Sequence, residues 1–505
     1  MTGFHAPAAP ALVATGVQGL DDVLNGGLAP NRLYLVEGAP GSGKTTLALR
    51  FLLEGRNRAE PGLYVTLSET SEELHSVAAS HGWDLDGIAL FELVAAEATL
   101  GQERETTLLH PWEIELGETV GLITSEVERT GAVRVVFDSL SEMRLLAQDG
   151  LRFRRQVLAL KQFFAKRGAT VLLVDDMAGT NGVPDRQLHS LSHGVITLER
   201  RTLEFGGARR RIEVAKMRAA LVREGWHDYV IQRGGLEVFP RLVAADHHVP
   251  FAGEPVSSGL AELDQLLGGG PLRGTCTLLS GPAGAGKSTL AIQWVHAAAE
   301  RDEPCVIYQF DERAGTLLTR LAGLGLDLQP HIAAGRVILR QMDPAKISPG
   351  EFACILRTDV EQRGARVVVL DSLSGYLAAM PQEKMLLLQL HEMLSYLNQR
   401  GVLTLLINPQ NGLLGSMHSS IDVSNLSDAI LLLRFFEAGG RVRKAISVIK
   451  NRGGPHEETI RELRISAEGV RVGEVLTAFH GVLSGTPTYM GGEAPLLSER
   501  LGPNV

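Results

Sequence analysis

Cysteine is scarce. The 505 residues include three, Cys276, Cys305 and Cys354, all in the second half and none in CxxC or Cys/His spacing. That spacing excludes a disulfide framework and a thiolate metal centre, and leaves buried thiols as the expectation. Aromatic residues make up 5% of the chain. Nowhere do about 18 uncharged apolar residues run together, so no membrane-spanning helix is expected. Residues 1–15 lack both a basic stretch and an apolar core, which predicts a cytoplasmic protein with no secretory leader. Positive charge is not in excess either: the formal net charge is −9, which argues against global attraction to nucleic acid or anionic lipid.

Glycine, by contrast, is plentiful at 56 residues. Two segments use it in one pattern, Gly38-Ala39-Pro40-Gly41-Ser42-Gly43-Lys44-Thr45 and Gly281-Pro282-Ala283-Gly284-Ala285-Gly286-Lys287-Ser288. Each follows an apolar run (33–36; 275–279) and precedes a helical pattern (46–53; 289–299), the strand-loop-helix context of a phosphate-binding loop. Backbone N–H groups there curl round a polyphosphate at a helix N-terminus, while Lys44 and Lys287 reach the β and γ oxygens. Two sites for ATP with Mg²⁺ are therefore expected. Their binding residues are Gly41, Ser42, Gly43, Lys44, Thr45 and Thr46, and Gly284, Ala285, Gly286, Lys287, Ser288 and Thr289, with the Thr45 and Ser288 hydroxyls on the metal.

The loops belong to a longer repeat. Their lysines are 287 − 44 = 243 residues apart, and the same offset superposes Leu20-Asp21 on Leu263-Asp264 and Gly26-Gly27 on Gly269-Gly270. Further on, the apolar runs ending in Asp138-Ser139 and Asp371-Ser372 match at 371 − 138 = 233, so one half carries a shorter insertion. Short β-branched runs alternate with helical stretches, which predicts an α/β fold. Each half is expected to be a doubly wound, mostly parallel sheet with nucleotide at the carboxyl ends of its strands. Proline and glycine at 250, 253 and 255 mark the junction. The expected domains are 1–245 and 246–488, followed by a loosely ordered tail, 489–505.

Asp138 and Asp371 end strands beside the loops, where a carboxylate would join the Mg²⁺ shell. Ser139 and Ser372 either bond a γ-phosphate or cap a turn. Hydrolysis also needs a carboxylate to take a proton; the candidates are Glu69, in Ser68-Glu69, and Asp311-Glu312. Late in each half a strand carries cations two residues apart, Lys216 with Arg218 and Lys450 with Arg452, at an offset of 450 − 216 = 234. Each pair can address one anion from one strand face, and we read them as reaching the γ-phosphate on a neighbouring subunit. Arg200-Arg201 and Arg209-Arg210-Arg211 read as a hairpin, a solvated face or subunit contact rather than a nucleic-acid surface.

Together these motifs resemble the KaiC family, clock ATPases of the RecA-like superfamily. The resemblance runs from about Thr15 to about Thr488, and includes Val256-Ser257-Ser258-Gly259 and Ser484-Gly485-Thr486-Pro487-Thr488. It implies tandem RecA-like domains in a double-ring homohexamer with ATP between protomers, an N-terminal ATPase ring and a C-terminal ring that autophosphorylates. A KaiB-like partner on the N-terminal ring is also implied. The family's Ser-Thr phosphoacceptor pair falls here on Ser424-Asn425, leaving Ser424 as a single acceptor with Asp422 nearby. The family's phosphate-sensing run falls on Lys450, Arg452 and His456, but in the first half only on Lys216 and Arg218. Its Glu-Glu pair becomes Ser68-Glu69 and Asp311-Glu312.

Two other readings remain open at this point. One is an ATP-dependent assembly scaffold with weak catalysis, which Ser68 and Asn425 favour. The other is a RecA-type nucleic-acid motor. Lys and Arg are absent between Arg400 and Arg434, and 169–198 holds only Arg186, a poor lining for a channel that would hold a phosphate backbone.

Overall fold

Leucine and β-branched runs build two nine-stranded sheets of identical order. The computed structural model describes residues 11–93, 111–147, 149–176, 186–202, 207–343, 345–378, 383–410, 423–438, 440–483 and 488–489. The chain divides into two compact units, Met1–Arg241 and Leu242–Val505. Asp422 and the predicted tail from residue 490 onward lie outside the described residues.

In the first unit β1 (Leu33–Gly38), β2 (Gly62–Thr66), β3 (Ile88–Glu92), β4 (Arg134–Asp138), β5 (Thr170–Asp176) and β6 (Gly194–Arg201) are parallel. Then β7 (Arg209–Met217), β8 (His227–Gln232) and β9 (Gly235–Phe239) extend the sheet antiparallel. The order is β3-β2-β4-β5-β1-β6-β7-β8-β9. Strands β1, β2 and β4 are buried at every residue, because helices cover both faces of a parallel sheet and leave no room for polar alternation. The antiparallel strand β7 alternates instead.

The second unit repeats this with β10 (Cys276–Gly281), β11 (Cys305–Gln309), β12 (Val337–Gln341), β13 (Val367–Asp371), β14 (Leu403–Pro409) and β15 (Ala429–Ala438). Its antiparallel extension is β16 (Arg441–Asn451), β17 (Arg461–Ser466) and β18 (Gly469–Val475). Each unit has an apolar core on either side of its sheet. The architecture is the tandem RecA-like α/β fold. Among the described residues no helix is long and apolar enough to cross a membrane.

Register determines which residues meet. Gly38 on β1 stands opposite Asp176 on β5, and Thr66 on β2 opposite Asp138 on β4. The phosphate-binding loop, the turn carrying Glu69, and two strand-end aspartates thus converge at the carboxyl edge, where open α/β sheets bind ligands.

Candidate functional site

In the first unit the loop leads into the helix Lys44–Asn57 through Gly43, whose φ of 98° is a left-handed conformation. A Cβ there would lie 2.6 Å from Cδ1 of Ile231 on β8. Gly286 repeats the arrangement with φ 104°, and a Cβ would press on Ile465 of β17. Both the positive φ and the close strand favour glycine at this position.

Lys44 is buried and its Nζ donates to the carbonyls of Gly38 (2.9 Å) and Ala39 (3.1 Å). It also pairs with Asp176 at 2.6 Å. Asp138 accepts from the Tyr64 hydroxyl at 2.5 Å and is hydrogen-bonded to the Thr45 hydroxyl. Burial, with some repulsion from Asp176, raises its pKa. Glu69 is pushed up to about 7, chiefly by burial and then by Asp138, Glu73 and Asp176, with Lys44 opposing. Its buried Oε2 lacks a hydrogen-bond partner. A half-desolvated carboxylate with an open oxygen can accept a proton.

The second site differs in its carboxylates. Lys287 donates to the Pro282 carbonyl at 2.7 Å, and burial lowers it to about 8 despite Asp371. Asp371 is raised to about 6 by burial first, then by Asp311 and Glu312 against the Ser288 hydrogen bond. Asp311 accepts from the Ser372 hydroxyl. Gly375 makes room for it, since a Cβ there would stand 2.6 Å from Asp311 Oδ1. Glu312 is held by Arg320 (2.8 Å), which also donates to Thr289 Oγ1 at 3.0 Å. Where the first unit has Asp176 opposite the loop's first glycine, the second has Pro409.

The spaced cations lie elsewhere. Lys450 donates to the carbonyls of Ser424 and Ser427, each at 2.6 Å, and Arg452 to that of Asn425 at 3.5 Å. Lys216 holds the carbonyls of His189 and Ser192 in the same way (2.8 Å to the latter), and Arg218 that of Ser190 at 2.9 Å. All four stand at the amino edge of the parallel strands, opposite the unit's own loop. His456 lies half-buried on the connection from β16 to β17. The arginine hairpin forms, pairing Arg200 with Arg210 and Arg201 with Arg209, while residues 203–206 lie outside the described set. Arg211 pairs with Glu199 at 2.5 Å and covers the Trp226 ring, so part of this charge is used internally.

Sequence reasoning missed Tyr64, Asp176 and Arg320. Asp176 had a readable signal, an acid closing an apolar strand as Asp138 does. Tyr64 and Arg320 had none, because the partner of Tyr64 is set by register across the sheet and those of Arg320 by the packing of its helix against the loop helix.

These loops and aspartates are the machinery of a nucleotide-binding P-loop protein, and comparison with known proteins agrees. The family described as "ATPase: KaiC" matches residues 13–243 and again 256–476. The chain is similar to "Circadian clock oscillator protein KaiC" of Prochlorococcus marinus, 28% identical over 492 residues covering 95% of each chain. It is similar also to "Circadian clock protein KaiC3" of Synechocystis, 26% identical over 481 residues covering 94% of each. A third relative, "Circadian clock oscillator protein KaiC" of Synechococcus elongatus, is 28% identical over 491 residues, 95% of this chain and 92% of the relative. The chain belongs to the KaiC family of ATPases and carries the family's ATPase domain twice.

Proposed function

We propose that this protein assembles as a homohexamer that hydrolyses ATP in both units, transfers phosphate to its own Ser424 in the second, and serves timing or signalling. One observation carries the reading. Ser424 lies in the turn before β15, whose first residue, Ala429, stands level with Thr277 at the amino edge of the sheet, whereas the loop follows Gly281 at the carboxyl edge. Four residues of strand separate the two levels, about 13 Å. A serine so placed stands far from phosphate on the loop of its own unit, which supports a reading in which donor and acceptor belong to different copies of the chain. Lys450, Arg452 and His456 would then meet the γ-phosphate held by the neighbour's loop, with Lys216 and Arg218 acting likewise at the first site.

In transfer, Ser424 Oγ attacks the γ-phosphorus, the bond to the departing ADP oxygen breaks, and the hydroxyl proton passes to Asp311 or Glu312. In hydrolysis water replaces the serine, and in the first unit Glu69 takes the proton. Thr45 with Asp138, and Ser288 with Asp371, would hold Mg²⁺. Each pair is a half-buried hydroxyl hydrogen-bonded to a buried carboxylate of raised pKa, which suits a cation. Bound Mg²⁺ supplies neutralisation of the phosphate charge. The family reading also implies a KaiB-like protein as partner of the first unit, and no nucleic acid.

The test is phosphopeptide mapping after incubation of the purified protein with Mg-ATP. Phosphate is expected on Ser424 and on no residue of the Ser424→Ala control. ATP hydrolysis without phosphate on Ser424 would leave an assembly ATPase.

The scaffold reading keeps one observation in its favour, the Lys44–Asp176 pair, since a carboxylate there competes with phosphate for the lysine. Asp176→Asn is expected to tighten nucleotide binding at the first site about tenfold, the worth of one charge-assisted contact. Titration of a fluorescent ATP analogue in a Lys287→Ala background measures it, and unchanged affinity would show that Asp176 does not compete.

A further inference from the structure

We propose that His296, Glu300 and His331 form a binding site for a transition-metal dication of the Zn²⁺ type in the second unit, outside both nucleotide sites. His296 and Glu300 stand four residues apart on the helix Lys287–Glu300, so they project from one face. His331 comes from the short helix Gln329–Ala333. One ligand atom of each residue lies within 4.8 Å of the other two. Nε2 of His331 is 2.9 Å from Oε1 of Glu300, and the two imidazole rings meet edge to face with centroids 5.2 Å apart. His331 is buried, His296 half-buried and Glu300 at the surface. The cluster is therefore anchored on its inner side and open to water on its outer side.

Two imidazoles and a carboxylate, with a position left for water, make a zinc ligand set. They suit Mg²⁺ and Ca²⁺ poorly, because those ions take oxygen donors. The position favours a cation as well, since Glu300 ends its helix and the last carbonyls carry the negative end of the helix dipole. The opposite end of this helix begins at Lys287 of the phosphate-binding loop. Under the repeat offset the helical ligands correspond to 296 − 243 = 53 and 300 − 243 = 57, which are Leu53 and Asn57. Neither supplies an imidazole or a carboxylate, so the site belongs to the second unit.

Arg336 sets the cost of loading. Its guanidinium donates to Nδ1 of His331 at 3.3 and 3.1 Å and also pairs with Asp302 at 3.2 Å. With Nδ1 accepting, Nε2 carries the ring proton toward Glu300. When the metal takes the Nε2 lone pair, that proton moves to Nδ1 and Arg336 turns wholly to Asp302.

The experiment uses full-length protein stripped with EDTA, free of nucleotide, and titrated with Zn²⁺ by calorimetry and with Co²⁺ by visible absorption. One strong Zn²⁺ equivalent per chain and cobalt ligand-field bands of low-coordinate geometry are expected. Glu300→Gln, a surface change that leaves the fold intact, and His296→Asn should each weaken binding at least about tenfold, whereas Arg336→Ala should strengthen it. Absence of a strong equivalent, or one that survives unchanged in both Glu300→Gln and His296→Asn, would overturn the assignment.

Discussion

Lys287→Ala is expected to lower the initial rate of phosphate transfer to Ser424 at least about 10²-fold, the usual cost of deleting one fixed donor to a transferring phosphoryl group. Lys287 is buried and held by the carbonyl of Pro282 at the mouth of the loop, so water cannot stand in for its charge. Arg320, also near this site, is spent on Glu312 and Thr289. Radiolabel incorporation gives the rate, and light scattering on the same sample gives the assembly state. Retained assembly with lost transfer is the expected pair of results, and lost assembly alone would favour the scaffold. Because Ser424 stands at the edge opposite its own loop, mixing carries the argument further. Lys287→Ala chains still hold an acceptor, and Ser424→Ala chains still hold a donor. A mixture should phosphorylate Ser424 of the Lys287→Ala chain; no label in that mixture would sink transfer between copies.

Arg340→Ala is expected to destabilise the second unit by roughly 3 kcal/mol, near the lower end of what breaking a buried ion pair costs. Asp359 is fully buried and takes both forks of Arg340 at 2.7 Å, with the Tyr308 hydroxyl at 2.8 Å. Removing the arginine leaves this carboxylate in the core with only Arg363, at 3.4 Å and half exposed, to offset its charge. Tyr308 shares in the loss, because its hydroxyl already sits well above its ordinary pKa through burial and the same carboxylate. The unit's thermal transition, followed by differential scanning calorimetry, should fall by roughly 6–12 °C. Arg340→Lys should recover part of this, since it keeps the charge but loses the bidentate fork. A midpoint within about 1 °C of the parent for Arg340→Ala would mean that Asp359 does not depend on the arginine for its place in the fold.

Local pattern made the fold and the loops legible. A phosphate-binding loop is written in consecutive residues, because glycine frees the backbone, lysine follows at a fixed offset and the strand and helix flank it directly. The same holds for Asp138 and Asp371, each closing an apolar strand, and for Lys216 and Lys450, whose common offset marked them as parts of one repeat. The arginine hairpin was readable because its strands are adjacent in sequence.

The strand order β3-β2-β4-β5-β1 is another matter, since it scrambles sequence order and so decides every contact between distant segments. That order brings Asp176 to Lys44, across 132 residues from 176 − 44, and Tyr64 to Asp138. In the second unit the parallel pairing of β15 with β10 puts Ser424 at the edge away from its own loop, and packing of two helices rather than spacing joins His331 to His296 and Glu300. By itself the sequence determined the two nucleotide loops, the duplication and the α/β class, because those depend on neighbours along the chain. Tertiary structure alone decided which carboxylates surround each lysine and which edge of the sheet each cation serves, because those depend on the register of strands whose pairing no local signal encodes.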